Sequence, residues 1–278
     1  MSNIAWSIAD RIEAYKILHE FGIKGLEIAP KLLFPNSVEN KVDLLGRETL
    51  ASMRELHNFE LKIVSLQSLL YGLTNAKLFT GKVALAVFDK AMRAAISLAG
   101  ELGVGNVVFG SPDSRLFPEA MTEAEAYDIG REVFFGLGNF ARGNGTTISV
   151  EAIPIGYGSD FLTDTYEVIN FVSDLDHSAV KLNLDLGVCH FLNEHRNIES
   201  LIKNNVSLIG HVHISEPGLA PAPVDVLATA AVLRVLKKSG YDNWISIEMK
   251  EQHSNSINTL RMSVNTLVDA ANLVDPKG

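Results

Sequence analysis

The sequence contains a single cysteine, Cys189, among 278 residues, so no internal disulfide can form. It has no apolar run near the roughly 20 residues of a membrane span, which excludes a spanning helix. Met1-Ser2-Asn3-Ile4-Ala5-Trp6 lacks a basic segment followed by an apolar one, so no signal peptide is expected. Together these absences predict a soluble, cytoplasmic protein. Clustered cations are missing too. Lys237-Lys238 is the only adjacent basic pair, and the formal charge is −9. Phosphate backbones need grouped Lys and Arg, so a nucleic-acid partner is not expected. No fixed-period repeat, low-complexity tract or linker divides the chain, so one domain spanning residues 1–278 is expected.

Apolar material is abundant. Hydrophobic residues make up 47% and mean hydropathy is +0.14, enough for a large core. The length suits one α/β barrel, which typically needs about 250 residues. Apolar β-type runs alternate with amphipathic helical stretches along the whole chain. Strands are expected at Asn3–Trp6, Leu26–Ala29, Lys62–Leu66, Val104–Phe109, Thr147–Ile153, Val180–Leu184, Ser207–Ile214 and Trp244–Met249. Helices are expected near Ala9–Phe21, Arg47–His57, Lys82–Leu102, Thr122–Arg142, Thr165–Val172, Asn197–Asn204, Val224–Ser239 and Ser256–Leu273. Strict β–α alternation predicts a (β/α)8 TIM barrel, because parallel strands require crossover helices. Helix-to-strand turns are short, such as Phe21-Gly22 and Asn144-Gly145, whereas strand-to-helix loops are long, such as Pro30 to Gly46 and Gly187 to Arg196. Barrels carry their sites on the second set of loops.

Parallel strands covered by helices should be apolar on both faces. The last four expected strands break that rule at every second residue. Thr147, Ser149 and Glu151 form one stripe, and Lys181, Asn183 and Asp185 another. Ser207, His211, His213 and Ser215 form the third, and Trp244, Ser246, Glu248 and Lys250 the fourth. Only the apolar set can pack against helices, so the polar set must line the barrel. Buried ionisable groups are costly unless paired or bound to a cation. Glu151, Asp185, His213 and Glu248 therefore converge near the C-terminal strand ends as a candidate site for Mn2+, Mg2+, Co2+ or Zn2+. The competing reading pairs Glu151 and Glu248 with Lys181, Lys250 or Arg115 as interior salt bridges.

Ser149-Val150-Glu151-Ala152, Asn183-Leu184-Asp185-Leu186-Gly187, His211-Val212-His213-Ile214-Ser215-Glu216-Pro217 and Ile245-Ser246-Ile247-Glu248-Met249 resemble one family. It is the xylose isomerase-like barrel superfamily of sugar and sugar-phosphate isomerases and epimerases. Gly25-Leu26-Glu27 fits it as well. The resemblance implies that Glu151, Asp185, His213 and Glu248 hold the metal, with Mn2+ first among the cations. It also implies that Glu151 and Glu248 act as the acid/base pair, moving a proton through a metal-stabilised enediolate of a sugar or sugar phosphate. Barrels of this kind often form homodimers, although nothing in the sequence marks an interface.

The chain departs from the family in two places. A histidine is often found three residues after the strand-six aspartate, where this chain has Val188, and His190 is the nearest substitute. The epimerases carry an arginine six residues after the strand-seven histidine, where this chain has Leu219. Substrate contacts are expected from His190, His211, Arg115, Gln67, Glu27 and Trp6, with Glu216 orienting the ligand imidazole. Each has a bland alternative: a loop histidine, a hydrogen-bonded barrel histidine, a solvated arginine or ordinary core. A polyol or inosose dehydratase on the same metal site remains an alternative function. An apurinic endonuclease fits less well, because Ala29-Pro30 and Gln67-Ser68 lack the extra histidines of its metal cluster. A non-catalytic carbohydrate-binding barrel would not need both glutamates.

Overall fold

The structure is a computed structural model that describes residues 1–35, 42–253 and 255–275. Part of the Pro30 to Gly46 loop lies outside the described residues. Seven strands form one parallel sheet in sequential order: β1 Gly25–Ile28, β2 Lys62–Leu66, β3 Asn106–Phe109, β4 Thr147–Glu151, β5 Val180–Asp185, β6 Ile209–Ile214 and β7 Ile245–Ile247. Among the described residues ten α-helices accompany them: α1 Arg11–Glu20, α2 Pro30–Leu33, α3 Arg47–Asn58, α4 Lys82–Leu102, α5 Glu123–Gly143, α6 Thr165–Leu175, α7 Leu186–Phe191, α8 Ile198–Asn205, α9 Val226–Lys238 and α10 Ser256–Val274.

Local chemistry sets several boundaries. Thr122 and Glu125 make a reciprocal capping box that starts α5. Gly103 ends α4 at φ 66°, a left-handed position that favours glycine. Expected strand four begins only at Asn106, because the Val104 N–H is taken by Ala99 O in closing the end of α4.

The first expected strand is absent. Asn3–Ala5 is a short 3-10 helix capped by the Ser2 hydroxyl. The Asn3 side-chain amide takes over strand-like bonding: its Oδ1 accepts from the Ala29 N–H at 2.7 Å. Residues 1 and 2 still bridge the gap between the edge strands. Ser2 N–H donates to Ile247 O, and Glu27 N–H donates to Met1 O, both at 2.9 Å. The result is a nearly closed TIM-type barrel of seven strands rather than eight.

Apolar residues such as Ile148, Val150, Leu182, Leu184 and Val212 face the helices and are fully buried. The other parity faces inward and is polar. Near its N-terminal end, Asn106 donates to Ser65 Oγ at 2.9 Å and accepts from Ser149 Oγ at 2.6 Å. One layer higher, His211 Nε2 lies 3.0 Å from Ser246 Oγ. Barrel strands tilt, so neighbours are staggered. Glu151 pairs in register with Asn183, whereas Asp185 pairs with His213 and His213 with Ser246. Tilt brings groups from different register positions to one height.

Candidate metal centre

β4, β5, β6 and the end of β7 each send one donor into the same space. His213 Nδ1 lies 3.1 Å from Glu248 Oε2, 3.2 Å from Glu151 Oε2 and 3.6 Å from Asp185 Oδ2. One donor atom from each of these four residues falls within 4.8 Å of the others. Asp185 divides its carboxylate. Oδ1 accepts from Val188 N–H at 2.6 Å to cap α7, which leaves Oδ2 for the cluster. The loop expected from Gly187 thus begins as a helix that fixes Asp185. Asn183 Nδ2 donates to Glu151 Oε2 at 2.6 Å and lies 3.1 Å from His213 Nδ1.

The acids do not pair with the basic residues of the competing reading. Lys181 Nζ bonds Ser207 O at 2.9 Å, and Arg115 binds backbone carbonyls. The excess negative charge falls on the imidazole instead. Burial alone would lower the pKa of His213, but Glu248, Glu27, Asp185 and Glu151 outweigh it and raise that pKa well above its usual value. Burial raises the Glu248 carboxyl to about 7, opposed by His213 and assisted by Glu151 and Asp185. Such a cluster demands a cation, either a proton or a metal. Three carboxylate oxygens and one imidazole nitrogen are the right donors for a hard-to-borderline divalent ion. The residues therefore fit the metal they were expected to hold.

A fourth acid lies beneath. Glu27 is fully buried, with Oε2 3.0 Å from His213 Nε2 and Oε1 3.4 Å from His211 Nε2. Burial would raise its carboxyl, but His213, His211 and Ser65 outweigh that and bring it to about 2. Burial lowers the pKa of His211 to about 3, so this imidazole is neutral at pH 7.

A cavity of about 350 Å3 opens above the cluster, lined by Gln67, Tyr157, Glu151, Asp185, Glu248 and Lys250 among others. Its size suits a small molecule. A larger cavity of about 760 Å3 lies at the N-terminal mouth, beside Lys62, Lys181 and Trp244. It contains none of the four clustered donors, so convergent chemistry rather than volume marks the site.

Of the expected substrate contacts, only Gln67 lines the cavity above the metal cluster. His211 and Glu27 lie below that cluster, bonded into the barrel. Arg115 lies elsewhere. Its guanidinium is fully buried over the Phe109 ring and donates to Phe109 O at 2.7 Å and Phe161 O at 3.3 Å. His190 is exposed and stacks on His195 with centroids 4.6 Å apart. Trp6 packs edge-on against Tyr15 in the core, 4% exposed. Glu216, expected to orient the imidazole, lines the cavity instead, and Glu27 faces Nε2. Asn183 bonds two of these residues, yet the sequence marks it only by its inward parity. Its position two residues before Asp185 was the available signal.

The fold and site define a (β/α) barrel whose C-terminal mouth carries a four-donor acidic and imidazole cluster able to hold a metal ion. The chain belongs to the xylose isomerase-like TIM barrel family, whose sequence model matches residues 15–267. No curated protein matches it. Among solved structures it is similar to 3-keto-D-glucoside 4-epimerase from E. coli, with TM-score 0.74, 18% identity and coverage of 96% of this chain and 97% of that one. It also resembles D-psicose 3-epimerase from Clostridium cellulolyticum H10, with TM-score 0.72, 15% identity and coverage of 99% and 96%. A family 2 AP endonuclease from Brucella melitensis matches at TM-score 0.68, 19% identity and 90% coverage of both chains. At these identities the likeness establishes the fold.

Proposed function

We propose that this protein is a divalent-metal-dependent sugar isomerase or epimerase that moves a proton beside a substrate carbonyl. The observation that carries the reading is the Glu151/Glu248 pair, set with Asp185 and His213 under a small cavity. Two sugar epimerases among the similar structures support the substrate class. Glu151, Asp185, His213 and Glu248 would hold the metal. When bound, it polarises the carbonyl and accommodates the negative charge that develops on its oxygen. Glu151 and Glu248 approach from strands on different sides of the cluster. One takes the proton from carbon while the other delivers a proton to the opposite face or the adjacent carbon. Gln67 and Tyr157 offer polar contacts for substrate hydroxyls.

The test is wash-in of solvent deuterium into a panel of ketoses by the Mn2+-loaded protein. Glu151→Gln and Glu248→Gln should each slow exchange by about 10²–10⁴-fold. Wild-type protein that binds no divalent cation, or exchange undiminished in both variants, would refute the reading.

A further inference from the structure

The short contact below the cluster has a specific consequence for the metal. Glu27 enters from β1 and His213 from β6, two strands that are not neighbours in the sheet. Both side chains are 0% exposed. Glu27 Oε2 and His213 Nε2 lie 3.0 Å apart in a short, oblique contact. The approach is too oblique to count as a formed hydrogen bond, and neither atom has a hydrogen-bond partner among the described residues. An N–H buried without an acceptor is costly, and so is a carboxylate without a donor. Both costs are relieved together when Nε2 carries a hydrogen and a small turn of the ring aims it at the carboxylate. A neutral imidazole carries one ring hydrogen, so placing it on Nε2 leaves the Nδ1 lone pair free. Nδ1 is the nitrogen that faces Glu151, Asp185 and Glu248.

We propose that Glu27 is a positioning residue for the metal centre: its buried carboxylate holds the Nε2 hydrogen of His213 and so presents Nδ1 as the ligand. The inference rests on the metal reading above and assigns a role to a residue outside the four donors. A carboxylate that accepts the outer N–H of a ligand histidine fixes ring orientation and increases the basicity of the ligating nitrogen. His211 does not replace Glu27 in this role, because its own Nε2 is already 3.0 Å from Ser246 Oγ.

Mn2+ affinity, measured by competition with a chromophoric chelator, tests the assignment on wild type, Glu27→Gln and Glu27→Leu. Glu27→Gln keeps an acceptor but loses the charge, so affinity should fall about 10-fold; Glu27→Leu loses both, so it should fall about 100-fold. Far-UV circular dichroism should remain that of the wild type in each. A purely structural role would lower the melting temperature without this graded affinity order. In Zn2+-loaded wild type, 15N NMR should show the His213 ring with a hydrogen on Nε2 and Nδ1 ligated. Signals are assigned by their loss in His213→Gln. Equal Mn2+ affinity in all three proteins would overturn the role of Glu27 while leaving the metal reading intact. A hydrogen on Nδ1 in the NMR experiment would do the same, as would a second cation per chain, since Glu27, His211 and His213 also offer three donors within 4.8 Å of one another. Failure of the wild type to bind any cation would sink both.

Discussion

Glu248→Gln should change how the stability of the metal-free protein responds to pH, and the direction is fixed by the site. The Glu248 carboxyl is 6% exposed, and its pKa rises from 4.5 to about 7 in the folded chain. A carboxyl raised on folding binds its proton more tightly in the native state. Its contribution is therefore full below about pH 4.5 and is lost as pH climbs towards 7. At about 1.4 kcal/mol per pKa unit, the loss between pH 5 and pH 7 is about 2 kcal/mol. His213, also raised, works in the same direction above its unfolded pKa of 6.5. Urea unfolding of chelator-treated protein at pH 5 and pH 7 measures this. Wild type should lose about 2 kcal/mol more than Glu248→Gln across that interval. Saturating Mn2+ should reverse the trend, because its ligands must be deprotonated and its affinity grows with pH. Identical pH dependence in the two metal-free proteins would refute the reasoning.

Arg115→Met should cost about 3 kcal/mol in urea unfolding, because Phe109 O and Phe161 O lose their donor. KM for any substrate should not change, since the guanidinium does not line the cavity. His190→Ala removes an exposed ring stacked on His195. Stability should stay within about 0.5 kcal/mol and turnover should be unaffected in a steady-state assay. Gly187→Ala places a Cβ 2.8 Å from the Glu216 carbonyl carbon and 3.0 Å from Ser215 Oγ. Relieving that clash should cost about 1–3 kcal/mol and weaken Mn2+ binding by displacing the helix that Asp185 caps.

Fold class and the four donors could be read from the sequence because both depend on period two. Apolar residues alone can face the helices, so Glu151, Asp185, His213 and Glu248 had to face inward. Element boundaries were less secure where side chains do the work of backbone. Asn3 supplies the pairing that a first strand would have made, so Asn3–Trp6 has the composition of a strand without being one. Most of the expected substrate contacts lie away from the cavity for a different reason. Residue type and proximity in sequence do not report depth: Arg115 is buried over the Phe109 ring and Trp6 against Tyr15, neither of them at the cavity.

Glu27 shows most clearly where parity stops. Its alternation with Leu26 and Ile28 predicts an inward side chain but says nothing of which strand it will meet. That depends on closure and stagger. The β1–β2 register slips between Leu26 and Glu27, and the β5–β6 register slips between Leu182 and Asn183. Each slip changes the height of a side chain relative to its neighbours, which cannot be counted along one strand. Only when residues 1 and 2 close the gap between β1 and β7 does Glu27 come beneath His213. One set of bonds then serves two purposes. Ser2 and Met1 join the edge strands through Ile247 O and Glu27 N–H, and the same Glu27 holds the imidazole. Loosening that seam should thus be felt at the metal cluster before it is felt in the helices outside.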